Sequence, residues 1–185
     1  MMELDKAIRS RTSVKKFKSK KPDWRDIIEV IDFMRYTPMA GGNFTLKFIL
    51  VDNKEKIQKI SKAAQQDFIS QTDYVLVVCS TPSRTTNSFG ERGEIYSRQQ
   101  AGAAIQNFLL KIQEKNLATC WVGHFVEEQI KRELKIPKGS NVEAVFPIGY
   151  EFKKSKPKQK IELDRVLFFN SYGTRKMKKP KKLDV

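Results

Sequence analysis

Four short stretches carry side chains whose types and spacing could do chemistry. In the first, Arg11-Thr12-Ser13-Val14-Lys15, a guanidinium, hydroxyls and an ammonium follow one another closely. Such a set can surround a phosphate, with the planar fork of arginine binding two oxygens at once. The second, Tyr36-Thr37-Pro38-Met39-Ala40-Gly41-Gly42-Asn43, is a loop whose glycines can take positive φ. The third, Cys120-Trp121-Val122-Gly123-His124, reads as a strand end running into a turn, and its glycine would let a ligand come close to the main chain. The fourth is the lysine-rich Lys156-Pro157-Lys158-Gln159-Lys160. Each has a plainer reading: a basic surface turn, a surface loop, or a solvated charged face.

Other chemistries find no residues to carry them. The chain has one histidine and two cysteines, with no CxxC pair. No Ser-His-Asp set, paired carboxylates or His/Cys cluster of metal-ligand spacing can be assembled, so no metal is expected. Cys79 and Cys120 read as structural thiols, and His124 as a solvent-facing or packed imidazole rather than an acid.

The elements that must position these stretches follow from periodicity. A first helix starts near Glu3, with Leu4, Ala7 and Ile8 at helical spacing. A second follows Pro22-Asp23, where Trp24, Ile27, Ile28, Ile31 and Met34 form an apolar stripe ending at Thr37-Pro38. Leu46 to Val51 reads as a strand, Lys54 to Phe68 as a helix, and Tyr74 to Cys79 as a fully buried strand. Thr81 to Arg92, with Pro82, Asn87, Ser88 and Gly90, reads as a surface loop. The longest helix spans Tyr96 to Lys115, and its small centre, Ala101-Gly102-Ala103-Ala104, would let a second helix approach closely. A short strand over 118–123, a helix over Val126 to Leu134 and a strand over Val142 to Gly149 complete the series. Periodicity alone yields a mixed α and β domain.

With 185 residues, 39% hydrophobic and 31% charged, the chain suits one ordinary folded domain. The expected division is a single domain over 1–173 and a basic tail over 174–185. No apolar run could span a bilayer and the N-terminus lacks the order of a signal peptide, so a cytoplasmic location is expected. The net charge of +15 invites a nucleic-acid partner. Yet the lysines and arginines are spread along the chain, and nothing resembles a recognition helix or an RNP sequence, so a solvated basic surface is the reading preferred.

In their order along the chain these segments resemble the nitroreductase family of flavoproteins, over roughly Glu3 to Leu167. Arg11-Thr12-Ser13-Val14-Lys15-Lys16-Phe17 is similar to the family's opening motif. Pro38 to Asn43 is similar to its Pro-Ser-Ala-Gly-Asn loop, with Met39 for the serine, an added glycine before Asn43, and Phe44-Thr45-Leu46 in place of Gln-Pro-Trp. Gln99 to Leu110 resembles the long central helix, Leu117 to Gly123 the segment facing the reactive flavin edge, and Pro147-Ile148-Gly149-Tyr150 with the later lysines the strand end and phosphate-closing pair.

The resemblance implies an α+β fold, with a mostly antiparallel central sheet flanked by helices and the long helix at a homodimer interface. It implies an FMN-dependent oxidoreductase passing reducing equivalents from NADH or NADPH to a small acceptor such as a nitroaromatic or quinone. Arg11, Thr12, Ser13, Lys15, Lys158 and Lys160 would then hold the phosphate and ribityl end. Trp121 and the main chains of Val122, Gly123 and His124 would lie at the ring, and Pro38, Met39, Ala40 and Asn43 would come from the opposite subunit. The competing expectation is a basic, flavin-free binding protein on the same fold that meets nucleic acid or an acidic partner.

Overall fold

The computed structural model describes residues 3–155 and 157–177. Its centre is an antiparallel sheet of four strands in the order β1-β2-β4-β3: β1 (Leu46–Val51), β2 (Tyr74–Ser80), β3 (Ala118–Thr119) and β4 (Asn141–Gly149). The register places Phe48 opposite Val78 and Val77 opposite Val145, with an irregularity between Val78 and Cys79.

Both faces of the sheet are covered, and this is why β2 is apolar from Tyr74 to Cys79. Side chains alternate across a strand. Leu76 and Val78 of β2 therefore pack with Ala144, Phe146 and Ile148 on one face, and Val75, Val77 and Cys79 pack with Val145 on the other. The first face is closed by α2 (Trp24–Asp32) and the long α5 (Arg92–Glu114), through Ile27, Val30, Ala101, Ala104, Ile105 and Phe108. The second is closed by α3 (Lys54–Ala64) and α6 (Glu127–Leu134), through Ile57, Ile60, Ala64 and Ile130. The expected α+β layering and antiparallel sheet are observed.

The first helix, α1 (Leu4–Ser10), packs on α5. The chain then runs along the sheet edge: Val14 N–H donates to Thr119 O (2.9 Å), Lys18 N–H to Tyr150 O (2.8 Å), and Phe152 N–H to Lys16 O (3.0 Å). Buried Val14 and Phe17 anchor this edge, and the intervening Lys15 and Lys16 are left exposed.

Several boundaries differ from the sequence reading, and the short strand expected over 118–123 spans only Ala118–Thr119. Thr81 to Arg92 is not a loop: it holds α4 (Ser83–Phe89), and α5 begins at Arg92 rather than Tyr96. Ser, Thr and Asn favour loops because their side chains compete for backbone groups. Here the Thr85, Thr86 and Ser88 hydroxyls instead donate to the carbonyls of Pro82, Ser83 and Arg84, three or four residues earlier, and α4 is pressed against α5 at Gly93. The third helix stops at Ala64, where Gln65 takes the left-handed conformation (φ 53°); a 3₁₀ turn follows at Asp67–Gln71.

Among the described residues after Glu151 the chain is largely exposed and has one 3₁₀ turn, Leu163–Arg165. Of the expected basic tail, residues 178–185 lie outside the described residues, as does Lys156. Among the described residues no helix is long and apolar enough to cross a membrane.

Candidate functional site

The end of α1 delivers Arg11 to a cavity. The Arg11 N–H caps the helix on Ala7 O (3.1 Å). Arg11 then lines, with Ser13, Gln106, Leu109, Thr119 and Trp121, a cavity of about 260 Å³. A second cavity of about 330 Å³ shares Arg11, Leu109 and Thr119 with it and extends past Thr12 to Lys18, Lys154 and Pro157. One arginine thus stands between two adjoining spaces against the second half of α5.

The charges around these spaces are unbalanced. Among the described residues, none of Arg11, Lys18, Lys154, Lys158 and Lys160 is in an ion pair. The carboxylate that lines the larger cavity, Glu151, accepts a hydrogen bond from Ser155 N–H (2.8 Å). Unneutralised cations beside hydroxyls form a donor set suited to a phosphate.

Not every residue expected at the site gathers here. The Lys15 ammonium lies 5.4 Å from the centre of the Phe68 ring and lines neither cavity. Lys158 directly follows cavity-lining Pro157, whereas Lys160 lines neither space; both lysines are exposed.

In the 121–124 turn, Trp121 is 44% exposed and its ring lies 5.8 Å from that of Phe146. The buried Val122 uses its N–H and C=O on Val145 (3.0 and 2.9 Å), so its amide belongs to the sheet. Gly123 and His124 are exposed, and among the described residues their N–H groups have no protein acceptor. Both are free main-chain donors in the turn.

The loop expected from the opposite subunit lies elsewhere on the molecule. Pro38, Met39 and Ala40 line a cavity of about 410 Å³ with Tyr96, Gln99, Gln100 and Ala103 of α5, and this cavity shares no residue with the two around Arg11. A 3₁₀ turn at Ala40–Gly42 shapes the loop, with Gly41 at φ 57° and Gly42 at φ 72°. Asn43 follows as an extended residue (φ −86°, ψ 112°). Sequence reasoning missed Phe89 and Tyr96, whose rings meet edge to face at 5.4 Å beside this loop. Placing Thr81 to Arg92 in a loop hid the helix that carries Phe89.

Neither thiol belongs to this chemistry. Both cysteines are free and buried. Burial, reinforced by Glu143 and Glu127, pushes Cys79 up to about 11. Burial raises Cys120 too, against a smaller opposing effect of Lys15. Among the described residues no His, Cys, Asp and Glu grouping could hold a metal ion.

Residues 8–150 match the sequence profile of the nitroreductase family. The chain belongs to the nitroreductase family. It is therefore an oxidoreductase. A protein of Methanothermobacter thermautotrophicus named for NADH dehydrogenase/NAD(P)H nitroreductase activity is 24% identical over 170 residues, covering 89% of this chain and 86% of its own. Among solved structures, NfrA2 of B. megaterium superposes with a TM-score of 0.85 at 18% identity, covering 93% of this chain and 76% of that one. An FMN-dependent nitroreductase of Clostridium difficile superposes with a TM-score of 0.77 at 22% identity, covering 90% and 98%. This nitroreductase-family chain thus shares the fold of those proteins over nine-tenths of its length. Within the fold, its cation-lined spaces and its glycine loop occupy different stretches of α5.

Proposed function

We propose that this chain is an FMN-dependent NAD(P)H oxidoreductase that works as a homodimer. The observation carrying the proposal is the unneutralised set of Arg11, Lys18 and Lys154 around two adjoining cavities that also hold Ser13, Thr12 and Thr119. That donor chemistry fits the phosphate and ribityl hydroxyls of FMN. Arg11 would bind two phosphate oxygens with its fork, and the nearby lysines would add point charge. The exposed N–H groups of Gly123 and His124 would donate to a polar ring edge where negative charge develops.

FMN, when bound, supplies the hydride and electron chemistry, accepting from NADH or NADPH and giving to a nitroaromatic, a quinone or another small electrophile. The protein's residues then bind, orient and shield. The Pro38–Asn43 loop opens onto a space that shares no residue with the cation-lined cavities. This arrangement favours a loop that serves the site of a second copy. The outward row of α5 supports the pairing: Gln99, Gly102, Ala103 and Gln106 lie exposed or half-buried, and nothing lies within 4 Å of where a Cβ on Gly102 would sit.

The deciding measurement is an absorption spectrum of the purified protein with and without added FMN, followed by anaerobic NADH or NADPH. A flavin band that bleaches with donor is the expected result. Apo-protein that fails to take up FMN would overturn the reading and bring forward the flavin-free basic binding protein, whose sign is salt-sensitive polyanion binding.

A further inference from the structure

A single buried side chain clamps both ends of the glycine loop. Gln100 is 5% exposed on the inner side of α5. Its Oε1 accepts from Thr45 N–H (2.8 Å) and from the Thr45 hydroxyl (2.8 Å). Its Nε2 donates to the carbonyls of Asn43 (3.2 Å) and Pro38 (3.3 Å).

The partners themselves fix which way the amide points. Thr45 N–H can only donate, and the two carbonyls can only accept, so the amide cannot be flipped. Because the Thr45 hydroxyl gives its proton to Gln100, the Ser97 hydroxyl, 2.8 Å away, must be the donor to Thr45. The amide makes all four of its hydrogen bonds inside the protein, a fully satisfied buried polar group of the kind that specifies one geometry.

The four bonds enclose the loop. Pro38 and Asn43 are five residues apart, and both are held by the two hydrogens of one NH₂ group, so Met39 to Gly42 must arch outward between them. Met39 is accordingly 44% exposed. Two turns further along α5, Asn107 Nδ2 donates to Tyr36 O (3.1 Å) and more weakly to Phe33 O (3.5 Å), steadying the approach to the loop. On the far side the Phe89 ring abuts Gly41, where an added Cβ would meet Phe89 Cζ at 2.9 Å.

We infer that Gln100 is a positioning residue: it holds the Pro38–Asn43 loop in the shape that meets FMN bound to a second copy. The inference rests on the proposed function for what the loop meets, but the clamp is a property of this chain alone. A loop of this length with two glycines loses much conformational freedom when ordered. With the clamp in place that cost is met on folding; without it, the cost falls on each binding event.

The test uses the full-length protein and two variants. Gln100→Glu keeps the acceptor for Thr45 but turns an oxygen toward the two carbonyls. Gln100→Met keeps length and burial without hydrogen bonds, and it serves if the charged variant does not fold. In apo-protein, hydrogen exchange of the amides of Met39 to Asn43 should quicken at least tenfold, with exchange in β2 unchanged. The Kd for FMN, read by quenching of its fluorescence, should rise at least tenfold, while kcat at saturating FMN changes less than threefold. A folded variant whose loop exchange and FMN Kd stay within twofold of the parent would overturn the inference. Failure of the parent protein to bind FMN would instead overturn the proposed function, and loop exchange would still decide whether Gln100 is the clamp.

Discussion

Two glycines in one helix should respond to the same substitution in opposite directions. A Cβ built on Gly93 falls 2.3 Å from the carbonyl carbon and oxygen of Thr85 and 2.4 Å from the amide nitrogen of Thr86. These are backbone atoms of α4, so no side chain can rotate away. Ordinary contact begins near 3.4 Å, so α4 must retreat by roughly 1 Å. Overpacking of this kind costs about 1–3 kcal/mol, and a rigid backbone neighbour puts Gly93→Ala at the upper end. Alanine returns about 1 kcal/mol of helix propensity, leaving a net loss of about 2 kcal/mol. For a chain of this size that lowers Tm by about 4–8 °C. At Gly102 nothing lies within 4 Å of the added Cβ, so Gly102→Ala should keep the propensity gain and raise Tm of the monomer by about 2–4 °C. Thermal unfolding of both variants in dilute solution makes the comparison. A Gly93→Ala protein that melts at or above the parent would refute the reasoning, because the contact between α4 and α5 would then be slack.

Three further outcomes are expected. Arg11→Ala should weaken FMN binding by roughly ten- to a hundredfold, the equivalent of one charge-assisted pair of hydrogen bonds. Its Tm without FMN should hold within about 2 °C, checked by flavin titration and apo-protein melting. Dilution to monomers should release FMN, seen as recovery of free-flavin fluorescence alongside the sedimenting mass; a monomer that retains its flavin fully would refute the shared site. Cys79 should resist thiol reagents at pH 8 until the protein unfolds. Its folded pKa of about 11 exceeds the ordinary 9.0. The unfolded chain thus releases this proton first, and stability from the buried neutral thiol is full below pH 9 and lost as pH rises toward 11. The loss is on the order of 2 kcal/mol, measured by urea unfolding at pH 8 and pH 10.5.

How much of this was legible in the sequence depended on whether an element's signal was its own. Leu46 to Val51 and Tyr74 to Cys79 are strands because their β-branched and aromatic residues fill both faces of a covered sheet, and their runs say so directly. The stripe of α2 is equally self-contained. By contrast, α4 is Ser-Arg-Thr-Thr-Asn-Ser-Phe, a composition that reads as loop; what makes it helical is a partner with a glycine at the contact, eight residues after Thr85. Arg11 and Ser13 could be picked out by type and spacing, and the structure brings both to one cavity. Lys15, in the same motif, lies over Phe68, a residue fifty-three positions away that no local pattern could pair with it. Val122 was named for a main-chain donor that the sheet already uses on Val145; pairing partners are fixed by register, which short strands leave unspecified.

These differences converge on α5. It carries Gly93, against which α4 and its Phe89 are seated; Gln100 and Asn107, which hold the chain from Phe33 to Asn43; and Gln106 and Leu109, which wall the cavity of Arg11. Its buried residues, Ala101, Ala104, Ile105 and Phe108, tie it to the sheet, so the helix cannot shift without disturbing the core. A rigid rod that walls the Arg11 cavity at Gln106 and Leu109 and clamps the loop at Gln100 holds both at a set spacing. Apposing two such rods antiparallel along their small outward residues would carry each loop toward the other copy's cations. In such a dimer Gly102 would serve the approach of a second helix, while Gly93 serves the chain's own fold. Gly102→Ala should therefore stabilise the monomer and weaken the dimer together, a combination that a solvent-facing helix would not produce, and that sedimentation of the variant set beside its melting curve can separate.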